Sequence, residues 1–478
     1  MIRIVRNGII FFTLTFLVMG CSVHHARLVS PPGAIPQHFA GSTRGEAGTV
    51  IPGRWWEILG DKRLNSLMDE AFTGNLDLKI AYARLEQARA SARKEGAGKF
   101  PSIDLAGRAG KQSTPGLNQN STGDTYGLSA AASYEIDLWN RISSRQGAAL
   151  FEVEASREDI NSLYLTLSAR VADLYFLAVT QRAQIALTDQ TISSFKDTLA
   201  RVTRRYDEGL VSALDVYQAR QNLHAARARR PLFEERLDDA EHELSILLGH
   251  YPGEKVGGDL AHLPSIPEAF PAGIPSGLVS RRPDVQGALL RVKASDERVA
   301  AAIADRFPSF NLAANYGYSS TSTVVGNISG TLWSLILNLA QPVIDGGRNK
   351  AEVQRVDAQF WETLASYHKT VLTAVGEVED ALSGNRATGE QILHLTRQVE
   401  ATKGALRLSK ARYLQGLSDY LPVLTAQGAD FSAKSSLLDA RRQLISGWIT
   451  LARTLGGRWM EGEMGNGVQL SNKEGVEQ

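Results

Sequence analysis

The chain of 478 residues holds a single cysteine, Cys21. That excludes an internal disulfide framework, thiolate zinc sites and iron–sulfur clusters. A dominant charge is missing too, since 52 basic against 51 acidic residues leave a formal net charge of +1. A nucleic-acid ligand needs a basic patch that displaces counterions, so no nucleic acid is expected as a partner. There is no Gly-x-x-x-x-Gly-Lys loop, no Gly-x-Ser-x-Gly elbow and no paired-histidine motif; His242-Glu243 has no second histidine four residues on. Three methionines remain beyond residue 20, too few to suggest Cu(I) thioether ligation. The chain reads as no enzyme and as holding no resident cofactor or metal, with His24-His25 incidental. Aromatics make up only 7%, and the frequent alanine argues for close-packed helices. After Cys21 no apolar run reaches 18 residues, whereas a membrane-spanning helix needs roughly 20. A membrane crossing would therefore require a closed β-barrel, the other structure that satisfies every backbone group in lipid.

The first twenty residues read as an export signal. Arg3 and Arg6 supply the positive start, and Ile9 to Val18 supply an apolar stretch too short to span a bilayer. Val18-Met19-Gly20-Cys21-Ser22 resembles a bacterial lipoprotein cleavage site, which makes Cys21 the expected carrier of a covalent lipid. Ser22 rather than Asp resembles the signal that sends a lipoprotein to the outer membrane. An ordinary signal peptide with an incidental cysteine is the alternative.

The rest of the chain is a tandem duplication. Phe100-Pro101-Ser102 returns as Phe307-Pro308-Ser309, and the Gly209-Leu210 pair returns as Gly416-Leu417. Leu248-Gly249 returns as Leu455-Gly456, and Arg141 as Arg348; all share one offset of 207 residues. Each copy has a short helix, two strand-like segments, a long helix, a break and another helix. The first long helix, about 142–208, carries the seam Ile160, Leu163, Leu167, Val171, Leu174, Ala178, Ile185, Ile192, Phe195, Leu199, Val202 and Tyr206. Its mean spacing is about 3.5 residues, the coiled-coil period. The second, about 348–415, repeats it with Val371, Val378, Ile392, Val399, Leu406 and Tyr413. Such a helix would be roughly 100 Å long, so it must pack on others. Gly209 and Gly416 mark the ends.

The strand-like segments alternate with period two. Apolar Ile103 and Leu105 interleave with Asp104 and Arg108, and the even positions from Tyr126 to Leu138 are apolar. Phe310, Leu312, Tyr316 and Tyr318 alternate with Asn311 and Asn315, and Trp333, Leu335, Leu337 and Leu339 form a fourth segment that Ile336 interrupts. This is the pattern of transmembrane β-strands, although per segment an amphipathic sheet on a soluble core fits equally. Lys111–Asp124 and Ser319–Ser329, rich in Ser, Thr, Asn and Gly, are expected as long surface loops. Four strands cannot close a barrel, so spanning strands would require an oligomer. The expected organisation is a signal peptide (1–20), a lipidated tether (21–50), a first repeat (51–249, strands about 102–111 and 125–138), a Pro/Gly-rich linker (250–282), a second repeat (283–457, strands about 309–319 and 330–341) and a disordered tail (458–478).

Three stretches carry a family resemblance: the lipobox followed by Arg54-Trp55-Trp56-Glu57, the run Arg281-Arg282-Pro283-Asp284, and Gly209-Leu210-Val211-Ser212-Ala213-Leu214-Asp215. Together they resemble the TolC-type outer membrane efflux family, in its OprM/NodT-like lipoprotein branch, over about residues 50–457. The resemblance implies an α+β, tandem-duplicated TolC-like fold and a homotrimer. Each chain would give four strands to a twelve-stranded barrel in outer membrane lipid and its helices to a periplasmic α-barrel. It further implies a passive exit duct that docks a periplasmic membrane-fusion adaptor and an inner-membrane efflux pump of RND type.

In that family the breaks at Gly209–Asp215 and Gly416–Thr425 would form a periplasmic gate. Asp215 matches the family's acidic position; Pro422 and Thr425 stand where aspartates often do, with Asp419 the nearest acid. The gate candidates are Asp215, Asp419, Arg205, Tyr206, Tyr413 and Thr425. A helix N-cap is an equally good role for Asp215, and Tyr206 and Tyr413 also read as seam residues. The competing reading of the whole chain is a lipid-anchored periplasmic coiled-coil scaffold without a pore.

Overall fold

The computed structural model describes residues 23–40, 53–114, 121–253, 263–264, 275–323 and 326–457. The export signal, the lipobox with Cys21, most of the linker and the tail lie outside the described residues. A short 3-10 turn, Trp55–Leu59, precedes α1 (Lys62–Gly74), α2 (Leu76–Ala97), β1 (Ser102–Thr114), β2 (Ser121–Ile136), α3 (Arg141–Asp207) and α4 (Ala213–Leu248). The order then repeats: α5 (Pro275–Arg281), α6 (Pro283–Ala304), β3 (Ser309–Thr323), β4 (Gly326–Ala340), α7 (Arg348–Leu414) and α8 (Leu421–Thr454). Helices α3 and α7 each have 67 residues, and α2 and α6 each have 22. The chain divides into two compact units, each drawn from both copies.

The first unit comprises the chain start through Pro31, Ala83–Glu158 and Gly287–Thr370. Its sheet is antiparallel in the order β1-β2-β3-β4. The register brings the four alternations onto one face. Ile103, Ala132, Ala314 and Leu335 stand in one row across the sheet, and Leu105, Ala130, Tyr316 and Trp333 in the next. On the other face run Asp104, Ala131, Asn315 and Ser334, then Arg108, Gly127, Ser319 and Gly330. Ile328, Leu332 and Ile336 are apolar exceptions on that polar face. The apolar face is uncovered: Leu105 is 79% exposed and Trp333 77%.

The segments expected as loops are mostly strand, since β1 runs to Thr114, β2 begins at Ser121, β3 reaches Thr323 and β4 begins at Gly326. A ladder pairs backbone with backbone, so it continues past the apolar residues, and threonine suits a strand. Where β2 hands over to α3, Asp137 accepts the N–H groups of Ile142 and Ser143 at 2.9 and 2.8 Å. Arg141 ties Glu135 (2.5 Å) to Asp305 (3.4 Å). Trp139 donates to the Pro308 carbonyl at 2.8 Å and packs on Phe307 with ring centroids 4.9 Å apart. The first described residues are docked, not loose: His24 and the Arg27 N–H both meet Asp296, and the Arg27 guanidinium meets Asp357 and covers the Phe360 ring.

The second unit comprises Pro32–Tyr82, Asp159–Gln286 and Val371–Gln478. Trp55 packs edge-on against Trp56 and Trp448, and all three are buried. Asp61 caps α1 through the N–H groups of Arg63 and Leu64 and accepts the Tyr175 hydroxyl at 2.7 Å. The α3 seam is buried at Ile160, Leu167, Val171, Leu174, Ala178, Phe195 and Val202. Among its polar interruptions, buried Gln184 donates to the Ser435 carbonyl and to Asp439. An 18-residue window of α3 has mean hydropathy 1.3, but 72% of it is buried inside the protein, so protein rather than lipid covers it. Tyr206 departs from the expected seam. It is 46% exposed and stands one residue before the helix ends, while its neighbour Arg205 takes the contacts to Tyr413. Arg282 is buried, holding Asp284 and Glu377 at 2.7 and 2.8 Å and the Thr454 carbonyl at 3.2 Å.

Helices α1 and α4 end against each other through two glycines. A Cβ on Gly74 would lie 2.1 Å from the Leu248 carbonyl oxygen, and Gly249 sits at φ 82°. Gly74→Ala should therefore destabilise the protein by about 1–3 kcal/mol. Thermal unfolding of the detergent-solubilised protein checks this as a loss of several degrees.

Candidate functional site at the helix turns

Both helix breaks lie in the second unit, and their first halves are built alike. After α3 the Gly209 N–H bonds to the Tyr206 carbonyl and the Leu210 N–H to that of Arg205, at 2.9 and 2.8 Å. After α7 the Gly416 N–H bonds to Tyr413 and the Leu417 N–H to Arg412, at 3.1 and 2.9 Å. Gly209 and Gly416 have φ of 72° and 73°, the left-handed conformation that a helix-ending turn of this kind requires. The second halves differ. Ser212 is the N-cap of α4, and Asp215, at the third helical position, accepts the Ser212 N–H at 3.2 Å. The N-cap role open to Asp215 thus falls to Ser212, with Asp215 as its capping-box partner, because the helix begins two residues earlier. In α8 the cap is Tyr420, with proline in the first turn, where its missing N–H costs nothing.

Between the turns lies a small core of Val202, Val216, Ala219, Tyr413, Tyr420 and Val423. Arg205 donates to the Tyr413 carbonyl at 2.7 Å, and its guanidinium carbon sits 4.7 Å from the Tyr413 ring centroid. The Tyr413 and Tyr420 rings are 5.6 Å apart. Burial pushes the Tyr413 phenol up, with Arg205 opposing and Asp215 adding to the shift. Burial, Tyr413 and Asp215 together push Tyr420 up to about 12. The Tyr413 hydroxyl and Arg205 Nε have no hydrogen-bond partner among the described residues.

The structure thus brings Arg205, Asp215 and Tyr413 together. It does not bring in Asp419, Tyr206 or Thr425, all exposed; the Thr425 hydroxyl donates back to the Leu421 carbonyl at 3.1 Å. Tyr420 escaped the sequence reading although it is 1% exposed. It lies beyond the Gly416 break, so the helical period that marks Tyr413 does not reach it. Exposed Leu210 and Leu214 on one turn recur as Leu417 and Leu421 on the other. Among the described residues no group of three or more His, Cys, Asp or Glu could hold a metal ion.

Two 67-residue helices, each following a strand pair of a sheet with one bare apolar face, define the class of outer-membrane channel subunits. The family model for Outer membrane efflux protein matches residues 67–250 and 274–457, and the chain belongs to that family. It is similar to the solvent efflux pump outer membrane protein SrpC of Pseudomonas putida, 32% identical over 414 residues covering 84% of this chain and 87% of that one. The probable outer membrane lipoprotein SilC of Salmonella typhimurium is 27% identical over 458 residues, covering 93% and 97%. The solved structure of the outer-membrane channel OprN superposes with a TM-score of 0.83 at 27% identity, covering 92% and 100%. The chain is accordingly a TolC-type efflux channel protein of the outer membrane.

The tyrosine pair sets an alkaline limit. Both phenols titrate higher when folded than when unfolded, so the unfolded state releases its protons first. The stabilisation is complete below pH 10 and is lost as pH rises towards 12, on the order of 2 kcal/mol for Tyr420. Tyr413→Phe with Tyr420→Phe should flatten the fall of denaturant stability between pH 10 and 12 and leave neutral pH nearly unchanged.

Proposed function

We propose that the chain works as a homotrimer forming the passive exit duct of a tripartite efflux system. Three chains contribute four strands each to a twelve-stranded outer-membrane barrel, with the long helices continuing into the periplasm. There the channel meets a periplasmic membrane-fusion adaptor and an inner-membrane pump of RND type, which supplies the energy. The observation that carries this reading is the pair of unpaired sheet edges, β1 and β4, flanking an uncovered apolar face. A four-stranded sheet cannot close on itself, and open edges are not tolerated in lipid. Along α7, Ile392, Val399 and Leu406 stay only half-buried in the single chain, as expected of a seam completed by a neighbouring subunit.

Cys21 carries the lipid that tethers the mature chain to the inner face of the outer membrane, a reading supported by the likeness to the lipoprotein SilC. The chain performs no catalysis and holds no cofactor beyond that lipid. The helix turns form the periplasmic gate. Asp215 faces the pore, while Arg205 and Tyr413 hold the closed hairpins together; Asp419, Tyr206 and Thr425, exposed on the same turns, are the remaining gate candidates. Three copies of Asp215 around an axis would favour cations, and small helix shifts would open the ring.

Light scattering of detergent-extracted protein, with detergent mass subtracted, should give three chains, and the Cys21→Ala chain should stay in the membrane fraction. A monomer that becomes soluble without Cys21 would sink the channel and leave the tethered scaffold. In planar bilayers Arg205→Ala should raise open time and Asp215→Ala should weaken cation preference. No change in either would remove those residues from the gate.

A further inference from the structure

The polar face of the sheet is nearly free of charge. It carries small residues along most rows, and Glu135, at its base, is neutralised by Arg141. Lys111 and Asp124 oppose each other on the other face. That leaves Asp104 and Arg108, which hold no ion pair among the described residues. They lie four residues apart on β1, roughly 13 Å along the strand. Arg108 sits midway between the strand's start at Ser102 and its end at Thr114. Its row is Gly127, Ser319 and Gly330, and its nearest neighbours on the same face of β1 are Ala106 and Gly110. Among the described residues of its row nothing provides a counter-charge or a bulky side chain to cover it.

We propose that Arg108 is the anion-attracting collar of the channel lumen, a specificity-determining residue that draws carboxylate- or sulfonate-bearing solutes through the barrel. The inference rests on the trimeric pore proposed above, in which the polar face lines the lumen. Three Arg108 side chains form a positive zone halfway along the strands, and three Asp104 side chains form a negative zone nearer their base. A solute with an anionic group gains attraction at the collar, and a cation meets repulsion there. Because the lumen is wet, the effect is set by distance and salt rather than by desolvation: it extends about 10 Å at 0.1 M salt and about 3 Å at 1 M.

The test reads the local potential directly and is independent of the gate. Gly127 pairs with Arg108, and a Cβ there meets only ordinary contacts, 3.6 Å from the Tyr318 carbonyl oxygen and 3.9 Å from Ser319 Cβ. Gly127→Cys is therefore a tolerated reporter about 5.5 Å from the Arg108 backbone. Intact cells are treated with membrane-impermeant methanethiosulfonates, one bearing a sulfonate and one a trimethylammonium group; the parent chain sets the background. At low salt the anionic reagent should be favoured, and Arg108→Gln should lower the anionic-to-cationic rate ratio roughly tenfold. That is about threefold per unit charge at this distance in water. Arg108→Lys should restore the ratio, and 1 M salt should abolish the difference. A ratio unchanged by Arg108→Gln, with the variant still a trimer, overturns the collar alone. A Gly127→Cys thiol that neither reagent reaches from outside overturns the lumen assignment, and the collar with it.

Discussion

Every backbone N–H and C=O that enters hydrocarbon must find a partner in protein, and the sheet meets that demand everywhere except along the outer sides of β1 and β4. In water those edges would be solvated or shielded; in lipid each unpaired group costs several kcal/mol. The apolar face, with Leu105, Trp333 and their neighbours bare, allows no aqueous compromise. From this constraint the rest follows. In the proposed oligomer the edges are met by further copies of the same chain, and closure makes the opposite face, with Asp104, Arg108 and Asn315, line an interior.

The helices obey a second form of the same rule. A helix of 67 residues has far more surface than one partner can cover, so its seam must be completed by several others. In α3 this happens within the chain as far as Val202. In α7 the seam residues Ile392, Val399 and Leu406 remain only half-buried in the single chain. Within the seam, polar groups such as Gln184 are bonded across helices, which fixes pairing register at little cost in stability.

At the turns, stability and mobility are set by unlike devices in like places. Ser212 and Asp215 close the start of α4 by hydrogen bonds, whereas α8 starts from a buried tyrosine and a proline. The Arg205 contact to the Tyr413 carbonyl joins α3 to the end of α7 through one side chain, next to a buried hydroxyl with no partner among the described residues. In the proposed gate, this joint with its unsatisfied buried hydroxyl is where the hairpins part.

The amino-acid sequence alone determined the duplication, because residues that share a backbone task recur at one offset, as Gly209 and Gly416 do. It also determined the α+β fold class, because periods of 3.5 and 2 reflect the geometry of one helix and one strand. The extent of the strands was less legible: Thr and Ser stretches that read as loops continue the ladder, since pairing is a backbone property. Only the tertiary structure decided that four separate alternations share one sheet face, since register depends on which strands meet. Only it separated Tyr206 from Tyr413, equivalent in the repeat, one exposed and the other buried beneath Arg205 and Tyr420. Duplicated sequence places the same side chain on the same helical face; what packs against that face comes from elsewhere in the chain and differs between the copies.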